Sequence, residues 1–185
     1  MRASVLPDKP GNYIIVLRST SSLPIKVQIS TTPILTSFDY KKEKYNVVYV
    51  GKSSKSLRIR DYKQHFTGTA GNSTIRKSLG CLLGFKLIPR DINSPQNGKL
   101  HLVNLTSVHW PNGWKTTCYF FIMQIMIMQM LKKNWFDIYN PPLNLQGNFN
   151  KTNLDFRKEL SALRSCTSAK QAPIPNNQLK LNTYP

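Results

Sequence analysis

Tyr49 to Phe66, YVGKSSKSLRIRDYKQHF, is the stretch that most restricts how this chain can fold. Val47, Val48, Tyr49 and Val50 are β-branched or aromatic and read as a strand that Gly51 ends. A serine-rich turn follows, and Leu57 to Phe66 reads as a helix with Arg58, Arg60, Lys63 and His65 on one face. A tyrosine at a strand end, a glycine that lets a phosphate approach the backbone, and guanidinium and imidazole groups one turn on suit a phosphodiester site. Taken by itself, the stretch reads more readily as an ordinary strand–turn–helix with a solvated basic face.

Charge bears on that choice. The 185 residues carry 26 Lys and Arg against 8 Asp and Glu, a formal charge of +18. Such a balance favours a polyanionic partner, nucleic acid first and an anionic membrane second. The length suits one domain with extensions and can bury a real core. Cys81, Cys118 and Cys166 are odd in number, widely spaced and free of any CxxC, which indicates neither a disulfide framework nor zinc and points to a reducing compartment. MRASVLPDKPGNY has no apolar stretch before a cleavage site, so no secretory signal is expected.

Taken in order, residues 1–9 read as a leader of low structural content and 11–17 as a first strand. Residues 18–46 read as a Ser/Thr/Pro-containing insertion with a short strand at Ile25 to Ile29. The strands at 11–17 and 47–50 are expected to pair antiparallel. Ser73 caps a helix from Thr74 to about Leu83, whose first turn holds Arg76 and Lys77. The helix dipole does not favour cations there, so contact with phosphate or plain solvation accounts for them. Phe85 to Ile88 reads as a further strand and Pro89 to Lys99 as a loop. Past Asn140-Pro141-Pro142, Thr152 or Asn153 caps a helix to about Arg164 with an apolar stripe of Leu154, Leu160 and Leu163. Residues 166–185, rich in proline and poor in large apolar groups, are expected to be disordered.

Gly11-Asn12-Tyr13 opens the first strand, Tyr49-Val50-Gly51 ends another, Arg60 and His65 follow on a helix, and Pro141-Pro142-Leu143-Asn144 comes last. That order, with nine residues from Gly51 to Arg60, resembles the GIY-YIG nuclease family over residues 10–91 and 137–165. Gly68 to Leu83 also looks like a branch of it. The resemblance implies an α/β (α+β) domain over residues 10–150, a small central antiparallel or mixed sheet flanked by helices, with the 151–165 helix behind it. It further implies Tyr13 and Tyr49 orienting or deprotonating a water, Arg60 on the scissile phosphate, His65 assisting the base or relaying a proton, and Asn144 bracing the site. Gly51, Lys52, Lys55, Arg58, Lys63, Arg76 and Lys77 are the expected nucleic-acid contacts. His65 lies five residues after Arg60, about 140° round an ideal α-helix, where members of the family commonly show four. Arg58, seven before His65, is the alternative phosphate ligand.

Residues 92–136 contain no Asp or Glu, and Tyr119 to Leu131 reads YFFIMQIMIMQML. The apolar run is too short for a ~20-residue membrane span and holds Gln124 and Gln129. A buried helix is one reading of it. The other is that part of residues 101–136 is translated out of frame. Shifting by one base from His109 permits LAEWMENNLLFFHNANNDYANVEKKLV, which restores acids and runs into Asp137. It places a glutamate across the Leu131/Lys132 junction, where the resemblance implies the glutamate that holds Mg2+ or Mn2+; as written, Lys132 stands there and no metal ligand is intact. The expectation is a metal-dependent DNA endonuclease, cytoplasmic (nucleoid-associated if bacterial), with DNA as partner, no membrane and no obligate protein partner. The rivals are a non-catalytic nucleic-acid-binding protein and, third, a membrane-associated protein anchored by residues 117–131.

Overall fold

A computed structural model describes residues 6–66, 73–85, 87–89, 100–102, 118–121 and 131–165. Strands β1 (Gly11–Arg18), β2 (Thr36–Tyr40), β3 (Glu43–Ser53) and β6 (Cys118–Phe121) form one antiparallel sheet in the order β2-β3-β1-β6. β4 (Leu87–Pro89) and β5 (Leu100–Leu102) pair separately. The helices are a π-helix (Arg58–Phe66), α1 (Thr74–Leu82), α2 (Leu131–Tyr139) and α3 (Leu154–Ser165). This is the α+β architecture expected. Among the described residues no helix is long and apolar enough to cross a membrane.

The pleat explains the layering. Successive side chains of a strand point to opposite faces, and β1 is buried along nearly its whole length, as a central strand should be. Tyr13, Ile15 and Leu17 pack on one face with Ile75, Leu79 and Leu82 of α1 and Phe156 and Leu160 of α3. Ile14 and Val16 pack on the other with Val47, Val50, Trp135 and Phe136. The stripe expected of α3 is corrected by one position. Leu160 is buried, but Leu154 is 38 % exposed and Phe156 takes its place in the core.

The 18–46 segment holds its strand at 36–40, not at Ile25 to Ile29, and β2 runs into β3 through Lys41 and Lys42, both at positive φ. Two such residues suit a tight hairpin whose twist matches the strands. The rest of the segment straps the domain. Glu159 of α3 accepts from the Ser30 amide and the Thr31 hydroxyl, at 2.6 and 2.8 Å, and Asn153 bonds both backbone groups of Ile34 at 2.8 Å.

Residues 6–10 form no regular element, yet Leu6 is buried. Their carbonyls satisfy the start of the π-helix, where backbone N–H groups have no intrahelical partner. Lys9 accepts from Leu57 and Pro7 from Arg58, while the Ser56 hydroxyl takes Ile59. The expectations for residues 1–5, most of the 89–99 loop, the greater part of the 101–130 segment and the 166–185 tail fall outside the described residues. Of the apolar run, Tyr119 to Phe121 lie in a strand paired with β1, so a helix does not begin there.

Candidate active site

Two local irregularities bring the expected residues together. The first is a β-bulge. Ile15 pairs with Tyr49 and Val16 with Val47, so Val48 is an extra residue. Strict alternation from Val47 would send Tyr49 to the opposite face from Tyr13. The bulge re-aims it, and both tyrosines lie in the same buried cluster with ring centroids 6.2 Å apart. Gly51 stands opposite Tyr13 in the register, and a Cβ there would overlap the Tyr13 ring. Room for Tyr13 is therefore a sufficient reason for glycine at this position.

The second irregularity is the π-helix. An i→i+5 repeat aligns Arg60 with His65, the pair that an ideal α-helix would set about 140° apart. The Tyr13 hydroxyl lies 2.6 Å from His65 Nε2, and His65 Nδ1 lies 2.6 Å from the Ser73 hydroxyl. His65 is 1 % exposed and so does not sit on a solvated face. Burial first, then the charges of Arg60 and Arg76, push its imidazole down to about 3. It is neutral at pH 7, with one ring nitrogen able to accept a hydrogen bond. Burial works to lower the Arg60 pKa, but the charges and hydrogen bonds of Tyr13 and Tyr49 outweigh it and the net shift is upward. Arg60 therefore lies within electrostatic and hydrogen-bonding reach of both phenols, and its charge favours negative charge developing at those oxygens. It is half-buried, which makes it the member of the cluster most open to a ligand.

Asn144 braces the site from behind. Its side-chain amide accepts from the Val50 N–H and donates to the Val50 carbonyl, both at 2.8 Å, and the Leu143 amide donates to the Val48 carbonyl at 3.1 Å. β2 pairs only as far as Val47, so this loop takes over the edge of β3 beside Tyr49. Arg157, 4 % exposed, holds the loop in turn through the Asn140 side chain and the Asn150 carbonyl.

The remaining expected contacts divide. Lys52, Lys55 and Lys63 are exposed around the site. Arg58 turns away, pairing with Asp8 at 3.5 Å and donating to the Leu6 carbonyl at 3.1 Å, so Arg60 is the arginine aimed at the tyrosines. Arg76 is 8 % exposed and donates to the His65 carbonyl at 3.0 Å. It caps the end of the π-helix, where the dipole favours a cation, and that hydrogen bond, not solvation, explains its place in the first turn of α1. Lys77 lines a neighbouring cleft. Ser73 joins the site as well as capping α1; its capping role was readable from the sequence, its contact with His65 was not.

Among the described residues no three His, Cys, Asp or Glu side chains come together as they would around a metal ion. Lys132, an ammonium without a lone pair to donate, occupies the position where a glutamate was expected. Among the described residues, then, no ready-made set of donors for a divalent cation is present.

A family model described as the GIY-YIG catalytic domain matches residues 11–166. No curated protein and no solved structure matches the chain at a significant level.

Proposed function

From the premise that the chain belongs to the GIY-YIG catalytic-domain family, a nuclease family whose substrate is nucleic acid, we propose that it is built to hydrolyse DNA phosphodiester bonds as an endonuclease. The observation that carries this reading is the convergence of Tyr13, Tyr49, Arg60 and a neutral His65 at one sheet end. DNA phosphodiesters hydrolyse so slowly that positioning, proton transfer and charge neutralisation must all contribute. Arg60 suits the phosphate, since a guanidinium matches two phosphate oxygens at once. A phenol at Tyr13 or Tyr49 takes the proton of an attacking water only after losing its own. Arg60 stabilises negative charge on either phenol, and the neutral His65 imidazole fixes the Tyr13 hydroxyl by a hydrogen bond. The exposed lysines would hold flanking backbone.

The Mg2+ or Mn2+ implied by the family resemblance finds no group of three His, Cys, Asp or Glu among the described residues, so the roles above belong to the chain's own side chains. Lys132 at the expected glutamate position supports the second reading, DNA binding without cleavage. The shift of frame described above restores a glutamate at the Leu131/Lys132 junction, inside the first turn of α2. As written, that turn has no acid and holds Lys132 and Lys133, the arrangement a helix N-terminus disfavours.

Supercoiled-plasmid nicking in Mg2+ and in Mn2+ decides between them, using the written chain, Lys132→Glu, and Tyr49→Phe in each background. Cleavage by Lys132→Glu that Tyr49→Phe abolishes is the expected result. Retained DNA binding with no cleavage in either background would leave the non-catalytic reading standing.

A further inference from the structure

Beside the catalytic cluster lies an open cleft of about 470 Å3 between α1 and α3. Lys77 and Arg164 give it two cations, Thr74, Ser161 and Ser165 three hydroxyls, and Leu145 part of an apolar wall. None of its lining side chains is acidic. Arg164 extends toward the Ser78 hydroxyl at 3.5 Å, and none of the ion pairs among the described residues includes it. A partly buried guanidinium without a carboxylate is a costly arrangement unless an anion arrives to complete it.

The cleft adjoins the site through the chain itself. Thr74 follows Ser73, which bonds His65, and Leu145 follows Asn144, which clamps Val50. Burial lowers the Arg164 pKa, and among the opposing contributions is the charge of Tyr49, so guanidinium and phenol are within electrostatic reach.

We propose that this cleft is a second phosphate subsite, in which Lys77 and Arg164 hold a phosphodiester of the same strand that lies across Arg60. The hydroxyls of Thr74, Ser161 and Ser165 donate to its free oxygens, and Leu145 packs against the adjoining sugar. The subsite rests on the nucleic-acid reading above, and it gives the enzyme a grip on the strand beyond the scissile group, which is what positions a reacting phosphate.

The test is fluorescence anisotropy of a labelled 20-base-pair duplex over a salt series with the full chain, Arg60→Gln, Lys77→Gln, Arg164→Gln and the exposed control Lys158→Gln. Removing a side chain that neutralises one phosphate should lower the slope of log K against log salt by about 0.9 and weaken binding roughly eightfold at 0.1 M salt. Arg60→Gln combined with Arg164→Gln should lower the slope by about twice that amount, because the two arginines hold different phosphates. Lys77→Gln keeps the test open if Arg164→Gln disturbs α3, and circular dichroism melts identify that case. Weaker binding by Arg60→Gln but not by Lys77→Gln or Arg164→Gln overturns the subsite and leaves the nucleic-acid reading intact. An effect of Lys158→Gln equal to theirs overturns it too, since the cleft would then be no different from general surface charge. A wild-type chain that binds no duplex at all removes the reading on which the subsite rests.

Discussion

His65 shows how one side chain ties the chemistry of the site to the stability of the fold. Its two ring nitrogens are both engaged, by Tyr13 and Ser73, and burial followed by Arg60 and Arg76 holds its pKa at about 3. In the unfolded chain a histidine takes up its proton near 6.5. Between these values the unfolded state binds more protons than the folded one. The folded-state pKa is the lower, so the contribution is complete above about pH 6.5 and is lost as pH falls towards 3. In that window the slope should approach about 1.4 kcal/mol per pH unit. Urea unfolding at pH values of about 7.5, 6 and 4.5 measures it, and His65→Gln should flatten the profile. A variant whose stability falls in parallel with the wild type would show that His65 is not the group responsible. The same burial and neighbouring guanidiniums keep His65 neutral at pH 7 and make it a weak base, so its part at the site is to hold the Tyr13 hydroxyl by a hydrogen bond.

At the scale of elements, the π-helix turns an apparent misfit of spacing into alignment. Arg60 and His65 lie five apart, and the i→i+5 repeat sets them on one face. Deleting exposed Lys63 would bring the two to a spacing of four, which an α-helix aligns. The deletion should therefore leave the melting temperature no lower, because an exposed residue contributes little to packing, and should weaken duplex binding no more than Lys63→Gln does. A weakening well beyond that of Lys63→Gln, seen in anisotropy, would show that the π-helix itself is required. Part of this layer was legible in the residues alone: β1 and α1 with Ser73 as its cap followed from residue type and spacing, whereas Tyr13, Tyr49, Arg60, His65 and Asn144 were singled out through the family resemblance. What was hidden has physical causes. The β2–β3 turn uses Lys41-Lys42 where Asn-Gly would have announced a hairpin, and a bulge at Val48 leaves no mark in a run of valines. Arg76 looked like a surface cation because nothing local reveals that it reaches the His65 carbonyl.

For the whole molecule the deciding stretch is the one that joins β6 to α2. A shifted frame that runs all the way to Asp137 replaces Trp135 and Phe136 by smaller residues. Those two side chains are 4 % and 5 % exposed and fill the face of the sheet made by Ile14, Val16, Tyr45, Val47 and Val50. Replacing a buried aromatic by a smaller side chain leaves a cavity whose cost is felt against the ~5–15 kcal/mol that holds a domain together. The packing of these aromatics favours the written frame at Trp135, while the dipole of α2 and the missing glutamate both favour the other frame just before it. These demands meet at the A-rich codons of Lys132, Lys133 and Asn134, where a slip keeps both the glutamate and the aromatics. Sequencing the coding DNA across codons 95–140 is expected to show a compensating pair of base changes, the second inside codons 132–134. Such a result makes the family glutamate part of the true protein and cleavage its working activity. Confirmation of every written base would instead leave Lys132 in place and favour the reading in which the chain holds nucleic acid without cutting it.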